Sequence, residues 1–433
     1  MKKGLLFFLT IILLISTLAG CSQGSKEVQG EEVKENGKTV VNFWSFWGSE
    51  TRRPIIEKII KDFNDSQDDI IVKHTFLPWG DIWTKNLASV AAGNPADVII
   101  NDINSVAQRA ENEQVEDITK YIDPSFEKQF YPHLWDTVVY KNKTYAVPFN
   151  TDTRLLFYNK KAFKEAGLDP NKPPQTWDEL EEYAKKLDVK SGNKYERIGF
   201  YPLWGNIGAA SWMTSADEGK GFIDNNKLNI NTPKKVEALE WVMGWQERLG
   251  ENTVQSFKSE FGSEQANPFI AEKVAMWVDV GTFYTQIRDY GKGMEFGVAP
   301  IPSYKEGSGH FADGGGFVAE VPKGAKHPKE AMEFIKYLTG LEAQKYWAMK
   351  NFDNVANIEA AEATSKELKG TDQMVYQATV KNLEKTKMYP VPVEYPDYNS
   401  RINPNIDNAL LGKVSAEKAL KNAEEQVEKM NKK

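Results

Sequence analysis

Along the chain, hydrophobic positions switch between a period of two and a period near 3.6, and each switch marks an element. Residues 40–47 form a β-branched and aromatic run closed by Gly48, the pattern of a buried strand. Ile55, Ile56, Ile59, Ile60 and Phe63 follow at helical spacing, so the strand leads into a helix. Residues 70–76 predict a second strand, residues 82–92 an amphipathic helix, and residues 97–100 a third strand after the Gly93-Asn94-Pro95 punctuation. Thr176-Trp177-Asp178-Glu179 is a capping box for a helix running to Leu187, its hydroxyl and carboxylate each able to satisfy the helix start. Pro233, after Thr232, opens a helix carrying Val236, Leu239, Val242 and Met243; Pro328 opens another carrying Ala331, Phe334, Ile335 and Leu338. Strands alternating with helices imply an α/β protein whose parallel sheet is covered on both faces. No stretch repeats with a period of 20 to 50 residues, which argues against a solenoid or propeller.

The amino end is of a different kind. Lys2 and Lys3 precede an apolar-rich run over residues 5–18, and its 14 residues are too few to cross a hydrocarbon layer as a helix. This reads as a secretory leader, residues 1–20. Leu18-Ala19-Gly20-Cys21 resembles the lipobox of bacterial lipoproteins, in which the thiol takes a diacylglycerol and cleavage leaves Cys21 as the new amino terminus. Cys21 is the only cysteine, which excludes a disulfide framework, a thiolate metal site and a cysteine nucleophile. Residues 21–38 are polar, with Gly24, Gly30 and Gly37 and no apolar period, a flexible tether reaching about 20 to 25 Å. Two motif matches here fail their context. Gly20-Cys21-Ser22-Gln23-Gly24 lies in neither a strand nor a helix, and Gly37-Lys38-Thr39 lacks the glycine a phosphate loop needs at Glu32.

Of 433 residues, 413 remain without the leader, enough for two lobes of about 150 to 200 residues each. At 41% hydrophobic and 27% charged, the chain can bury a large core and is neither disordered nor a coiled coil. The net charge of -7 becomes -9 when Lys2 and Lys3 leave with the leader, and an acidic surface without a basic stripe argues against nucleic acid. His74, His133, His310 and His327 show no ligand spacing, so neither a transition metal nor another cofactor is expected.

From Tyr145 onward the order Tyr145-Ala146-Val147-Pro148, Tyr158-Asn159-Lys160, Ala166-Gly167-Leu168, Pro174 and Thr176-Trp177-Asp178-Glu179-Leu180 resembles the family 1 extracellular solute-binding proteins. These are sugar-capturing lipoproteins of ABC importers, related to the maltose-binding protein. Further matches follow along the chain: Pro95-Ala96-Asp97-Val98, Glu272-Lys273-Val274-Ala275-Met276, Gly297-Val298-Ala299-Pro300, Gly314-Gly315-Gly316 and His327-Pro328-Lys329-Glu330-Ala331. The turn after Met276, Trp277-Val278-Asp279-Val280-Gly281-Thr282-Phe283, departs from the family pattern. The resemblance implies a two-lobed periplasmic-binding-protein fold of type II character, with residues 39–150 and 310–351 in the first lobe and 151–309 and 352–433 in the second. Residues 415–430 then form an amphipathic helix packed on the second lobe. It further implies a monomer, held at the extracytoplasmic face of the membrane through Cys21, that closes on a carbohydrate and is met by ABC permease subunits.

A sugar presents an apolar C–H face and a rim of hydroxyls, so its site needs aromatic plates and short polar side chains. The plates expected from their place near turns are Trp47, Trp79, Trp204 and Trp277, with Trp47 and Trp204 foremost; Trp177, Trp241 and Trp245, on helices, belong to the core. The polar candidates are Asp102, Asn104, Asn150, Asp152, Asp279 and Asp313, each also suited to capping, and Gly315 for close backbone approach. Tyr395, Tyr398 and Arg401 lie in a Pro-bounded loop that packs or closes one end of a cleft. A secreted glycoside hydrolase is the rival reading, because Asp102, Asp152, Asp279 and Asp313 also offer paired carboxylates.

Overall fold

The computed structural model describes residues 34–35 and 37–432; Cys21 and the leader lie outside the described residues. The chain enters through β1 (Lys34–Glu35) and β2 (Lys38–Ser45), then runs through α1 (Arg53–Ser66), β3 (Ile70–Phe76), α2 (Asp81–Ala91), β4 (Val98–Asp102) and β5 (Ala146–Thr151). Asp152 and Thr153 carry it to β6 (Arg154–Asn159), α3 (Trp177–Leu187), α4 (Ala209–Ala216), the hairpin β7 (Ile223–Asp224) and β8 (Lys227–Leu228), and α5 (Pro233–Leu249). Next come β9 (Met276–Val280), β10 (Phe296–Pro300), β11 (Ala312–Asp313), β12 (Gly316–Glu320), α6 (Pro328–Leu338), α7 (Leu341–Asn351) and β13 (Asn354–Val355). β14 (Thr386–Lys387), α8 (Asn399–Leu410) and α9 (Ala416–Glu428) complete the fold. Among the described residues no helix is long and apolar enough to cross a membrane.

Two sheets organise the lobes. In the larger, β2 lies between β3 and β4, parallel to both, while β12 runs antiparallel to β4 and β5, and β13 antiparallel to β5. The sheet is therefore mixed, not the all-parallel one that strand–helix alternation implies. The reversal arises because β12 and β13 return from the far side of the molecule and enter beside strands already in place. In the smaller sheet β6 is central, antiparallel to β9 and β10. β1 pairs Lys34 with Thr39 and Glu35 with Lys38, so the last part of the expected tether is folded onto the sheet edge.

Local signals set the helices as their chemistry requires. α1 buries Ile55, Ile56, Ile59, Ile60 and Phe63, and Thr232 Oγ1 accepts the Lys235 amide at 3.3 Å to start α5. The capping box of α3 is offset: Thr176 Oγ1 accepts from Glu179 N at 3.2 Å, but the Glu179 carboxylate takes the Gln175 amide at 2.6 Å. In the second lobe Trp177, Trp212, Trp241 and Trp245 interlock, Trp177 stacking on Trp241 at 4.2 Å. α8 and α9 pack on one another and on α5.

Trp47 belongs to the core. It is 1% exposed, with its ring 4.7 Å from Phe149 and 4.4 Å from Trp347, so no face is offered to a ligand. β2 explains this. Val41, Phe43, Ser45 and Trp47 are all buried while Asn42 is exposed and Trp44 and Phe46 only partly covered, the two-residue alternation that sends every second side chain inward. We predict that Trp47→Ala lowers stability by about 3 to 5 kcal/mol in denaturant titration and leaves the ligand affinity of the folded fraction within about twofold of wild type.

Candidate functional site

The site is built where strands end and the chain crosses between lobes. Asp152, on the crossing from β5 to β6, accepts the Gly315 amide at 2.8 Å, and Asp152 N donates to Gly315 O at 3.2 Å, so two crossing segments are tied face to face. Arg154, on β6, donates Nη1 to Asp152 Oδ1 at 2.8 Å and to the Asp313 carbonyl at 2.9 Å, and Nε to the Asn206 carbonyl at 3.1 Å. The glycine run beside it is used unequally. A Cβ on Gly316 would stand 2.3 Å from Asn150 O, and one on Gly314 2.4 Å from Thr386 Cγ2, whereas one on Gly315 would meet only the Asp152 carboxylate at 3.6 Å. Close approach is thus required at Gly314 and Gly316 rather than at Gly315.

On one side of this crossing lies a cavity of about 350 Å³, lined by Asp102 and Asn104 from the end of β4, Ser211 and Thr214 from α4, Asp313, and Tyr398. Asp102 accepts from the Asn104 amide at 2.9 Å, and burial pushes its carboxyl above the usual carboxylate range against the pull of Arg109. The loop is held from beneath: Arg109 donates to Asp102 O at 2.7 Å and to Ser105 Oγ at 2.6 Å while its guanidinium pairs with the buried Glu320. Ser211 Oγ donates to Asp313 Oδ2 at 2.9 Å, but Asp313 Oδ1 and Asn104 Oδ1 are buried with no partner. Both residues also line the cavity, so its wall is built of short polar side chains with hydrogen-bonding capacity to spare.

Beside Asp102 an aromatic wall projects from the same sheet. Phe317 is the register partner of both Asp102 and Asn150, and Phe46 packs edge-on against Phe317 and Trp79, each at 4.8 Å, with Trp83 completing the group. Trp79 is 61% exposed, a large apolar surface left in water. Of the tryptophan candidates it alone presents a free face. Trp204 and Trp277 are 4% and 6% exposed: Trp204 lies against Phe257 and Phe261, and Trp277 is packed near Phe261 and Phe283. Both therefore sit in the second lobe's core, where a bridge between Gly205 and Val278 joins the loop after Trp204 to β9. Asn150 is likewise committed, its Nδ2 to Asp353 at 3.3 Å and its Oδ1 to the Phe317 amide at 3.1 Å. Phe46, Trp83, Phe317, Ser211 and Tyr389 lie in or beside this group without having been singled out; only an even-numbered position on the alternating run of residues 40–47 signals Phe46.

Asp279 lies apart from this group. It lines a cavity of about 400 Å³ on the other side, where Thr51 and Arg52 of the first lobe face Asp279 and Arg288 of the second. Burial raises its carboxyl to about 6, although Trp277 Nε1 and the Val280 amide, both at 2.9 Å, and the nearby Arg154 favour the anion. A carboxyl that binds its proton more tightly folded than unfolded contributes most below its unfolded value near 3.8, and that contribution is lost as pH rises through about 6. We predict that apo stability gains about 1 to 3 kcal/mol from this group between pH 7 and pH 4, and that Asp279→Asn, which keeps an acceptor for Trp277, is more stable at pH 7 and has a flatter melting profile over that range.

Comparison with known proteins agrees with this architecture. The family model for bacterial extracellular solute-binding proteins matches residues 47–345. The arabinooligosaccharide-binding protein of Bacillus subtilis is 26% identical over 368 residues, covering 82% of this chain and 80% of its own. The multiple sugar-binding protein of Streptococcus mutans is 26% identical over 356 residues, covering 78% and 79%. Among solved structures, CpMnBP1 with mannobiose bound superposes with a TM-score of 0.76 at 26% identity, over 90% of this chain and 99% of that one. The cyclic α-maltosyl-1,6-maltose-binding protein of Arthrobacter globiformis shares the fold at a TM-score of 0.74 and 21% identity, over 92% and 100%. With two lobes on two sheets, segments crossing between them and a cavity at the crossing, the chain belongs to the bacterial extracellular solute-binding protein family.

Proposed function

We propose that the protein captures a carbohydrate, in particular an oligosaccharide, between its lobes and presents it to the permease of an ABC importer, without turnover and as a monomer. One observation carries this: Asp102, Asn104, Ser211, Thr214 and Asp313 line one cavity, and Phe317, the register partner of Asp102, leads to the exposed ring of Trp79, which together match a sugar's hydroxyl rim and apolar face. The named relatives, an arabinooligosaccharide-binding and a multiple sugar-binding protein, support the same class. Of the sequence candidates, Asp102, Asn104 and Trp79 are assigned to the ligand, Asp152 and Gly315 to the crossing, and Trp47, Trp204, Trp277 and Asn150 to packing. The first lobe comprises residues 39–150 and 310–351 together with β13, whose pairing with β5 argues that the last crossing follows Val355. Closure is favoured because a ligand touching both lobes binds the closed form better than the open one. We further propose that Cys21 is acylated and holds the body at the extracytoplasmic face of the membrane.

Three outcomes follow. In a thermal-shift panel of malto-, manno- and arabino-oligosaccharides, a sugar at a hundred times its Kd stabilises the protein by about 2.7 kcal/mol, and no reducing ends accumulate. A panel without any shift overturns the sugar reading; release of reducing ends moves it to a hydrolase. Trp79→Ala weakens calorimetric affinity about tenfold or more with little change in apo Tm, because the ring is exposed before ligand arrives. In cells carrying Cys21→Ala, the protein appears in the medium or as unprocessed precursor; a processed, membrane-held product contradicts acylation.

A further inference from the structure

The interlobe cavity continues outward. A second cavity, of about 410 Å³, adjoins it, and Gly221, Phe222, Tyr389 and Tyr398 line both. Its outer wall is the β7–β8 hairpin, in which Asn225 and Asn226 stand at φ 49° and 59°, the left-handed pair of a two-residue turn. The opposite wall is the segment from Lys387 to Pro392. Resting on the reading of the protein as a sugar receptor, we infer that this outer cavity is a subsite for further units of an oligosaccharide whose one end occupies the interlobe cavity, so that chains longer than a disaccharide are the preferred ligands.

Size, chemistry and rigidity support the assignment. Alone, the inner cavity stands at the small end of the roughly 300 to 1,000 Å³ range of ligand sites. The outer one adds Asp224, Asn225 and Asn226, short hydrogen-bonding groups at the far edge of the wall that Tyr389 shares with the inner cavity. Its cations are engaged: Lys220 faces Glu218 at 4.0 Å and Lys387 lies over the Phe311 ring at 5.6 Å, which suits an uncharged ligand. The walls are pinned before any ligand binds. Tyr389 donates its hydroxyl to Gly219 O at 3.2 Å and lies on Gly221, where a Cβ would come within 2.9 Å of the ring. Beneath the hairpin, the fully buried Lys235 donates to Asp217 at 2.6 Å, and Asn229 donates to the same carboxylate at 2.9 Å, so the hairpin's base is riveted to α5. A preformed wall spares the ordering cost that binding otherwise carries.

The test is calorimetric titration with malto-, manno- and arabino-oligosaccharides of about two to five units, on the wild type, on Asp224→Ala and on the double variant Asn225→Gly with Asn226→Gly, whose glycines keep the left-handed turn. In the series that binds, affinity rises about tenfold or more between two and four units. Both variants, at unchanged Tm, remove most of that gain and leave disaccharide affinity within about twofold. A flat series, a gain that survives in both variants, or a loss equal at all lengths overturns the outer subsite and leaves the receptor reading standing. Absence of binding by every sugar overturns both.

Discussion

Arg154 is the group on which the two-lobed arrangement turns. It sits at the first residue of the central strand of the smaller sheet, mostly buried, and its donors end on three separate segments: the first crossing at Asp152, the second at Asp313, and the loop at Asn206. A guanidinium withdrawn from water is tolerable only where carboxylates balance it and its donors are used, and Asp152 and Asp313 meet that demand. The geometry has a corollary for the cavity. Asp313, whose backbone carbonyl takes Arg154 and whose Oδ2 takes Ser211, is at the same time a lining residue of the inner cavity. The interaction that fixes the crossing thus also holds a carboxylate at the cavity wall.

A second constraint acts from the large sheet. Asp102 lies at the end of β4, and its loop is held by Arg109, which reaches back to Glu320 on the neighbouring strand. Glu320 is wholly buried, and burial raises its carboxyl while the guanidinium and the Asn101 amide oppose that shift. Losing either partner would strand a charge in the core, so the pair is a strong determinant of where Asp102 can be. The cavity is therefore lined by groups whose positions are set one shell below, from residues with no access to a ligand.

Much of the fold could be read along the chain because its signals are local. The apolar period of α1, the Pro233 start of α5 and the face of α9 need only their own residues, and the ordered motifs carried the two-lobed expectation. What could not be read were properties that depend on distant segments meeting. β12 enters beside β4 more than 200 residues later, which makes the sheet mixed and brings Phe317 to Asp102. The aromatic wall gathers Phe46, Trp79, Trp83 and Phe317 from three stretches with no common motif. Trp47 is a different case, since its parity with Val41 and Phe43 on an alternating strand placed it inward and Phe46 outward.

The segment between β14 and α8 ties the two halves of the cleft together. Gly314 donates to Lys387 O at 2.9 Å, Tyr389 reaches Gly219 in the second lobe, and then Val391 donates to Asn104 O at 2.7 Å in the first, with Gln108 touching Pro392 O at 3.4 Å. Mechanically this is a stay set to one side of a hinge. A connection set to one side of the crossing strands resists twisting of one lobe against the other more than the crossing strands alone. Fewer open arrangements then compete with the closed one, so less of a ligand's binding free energy is consumed in choosing among them.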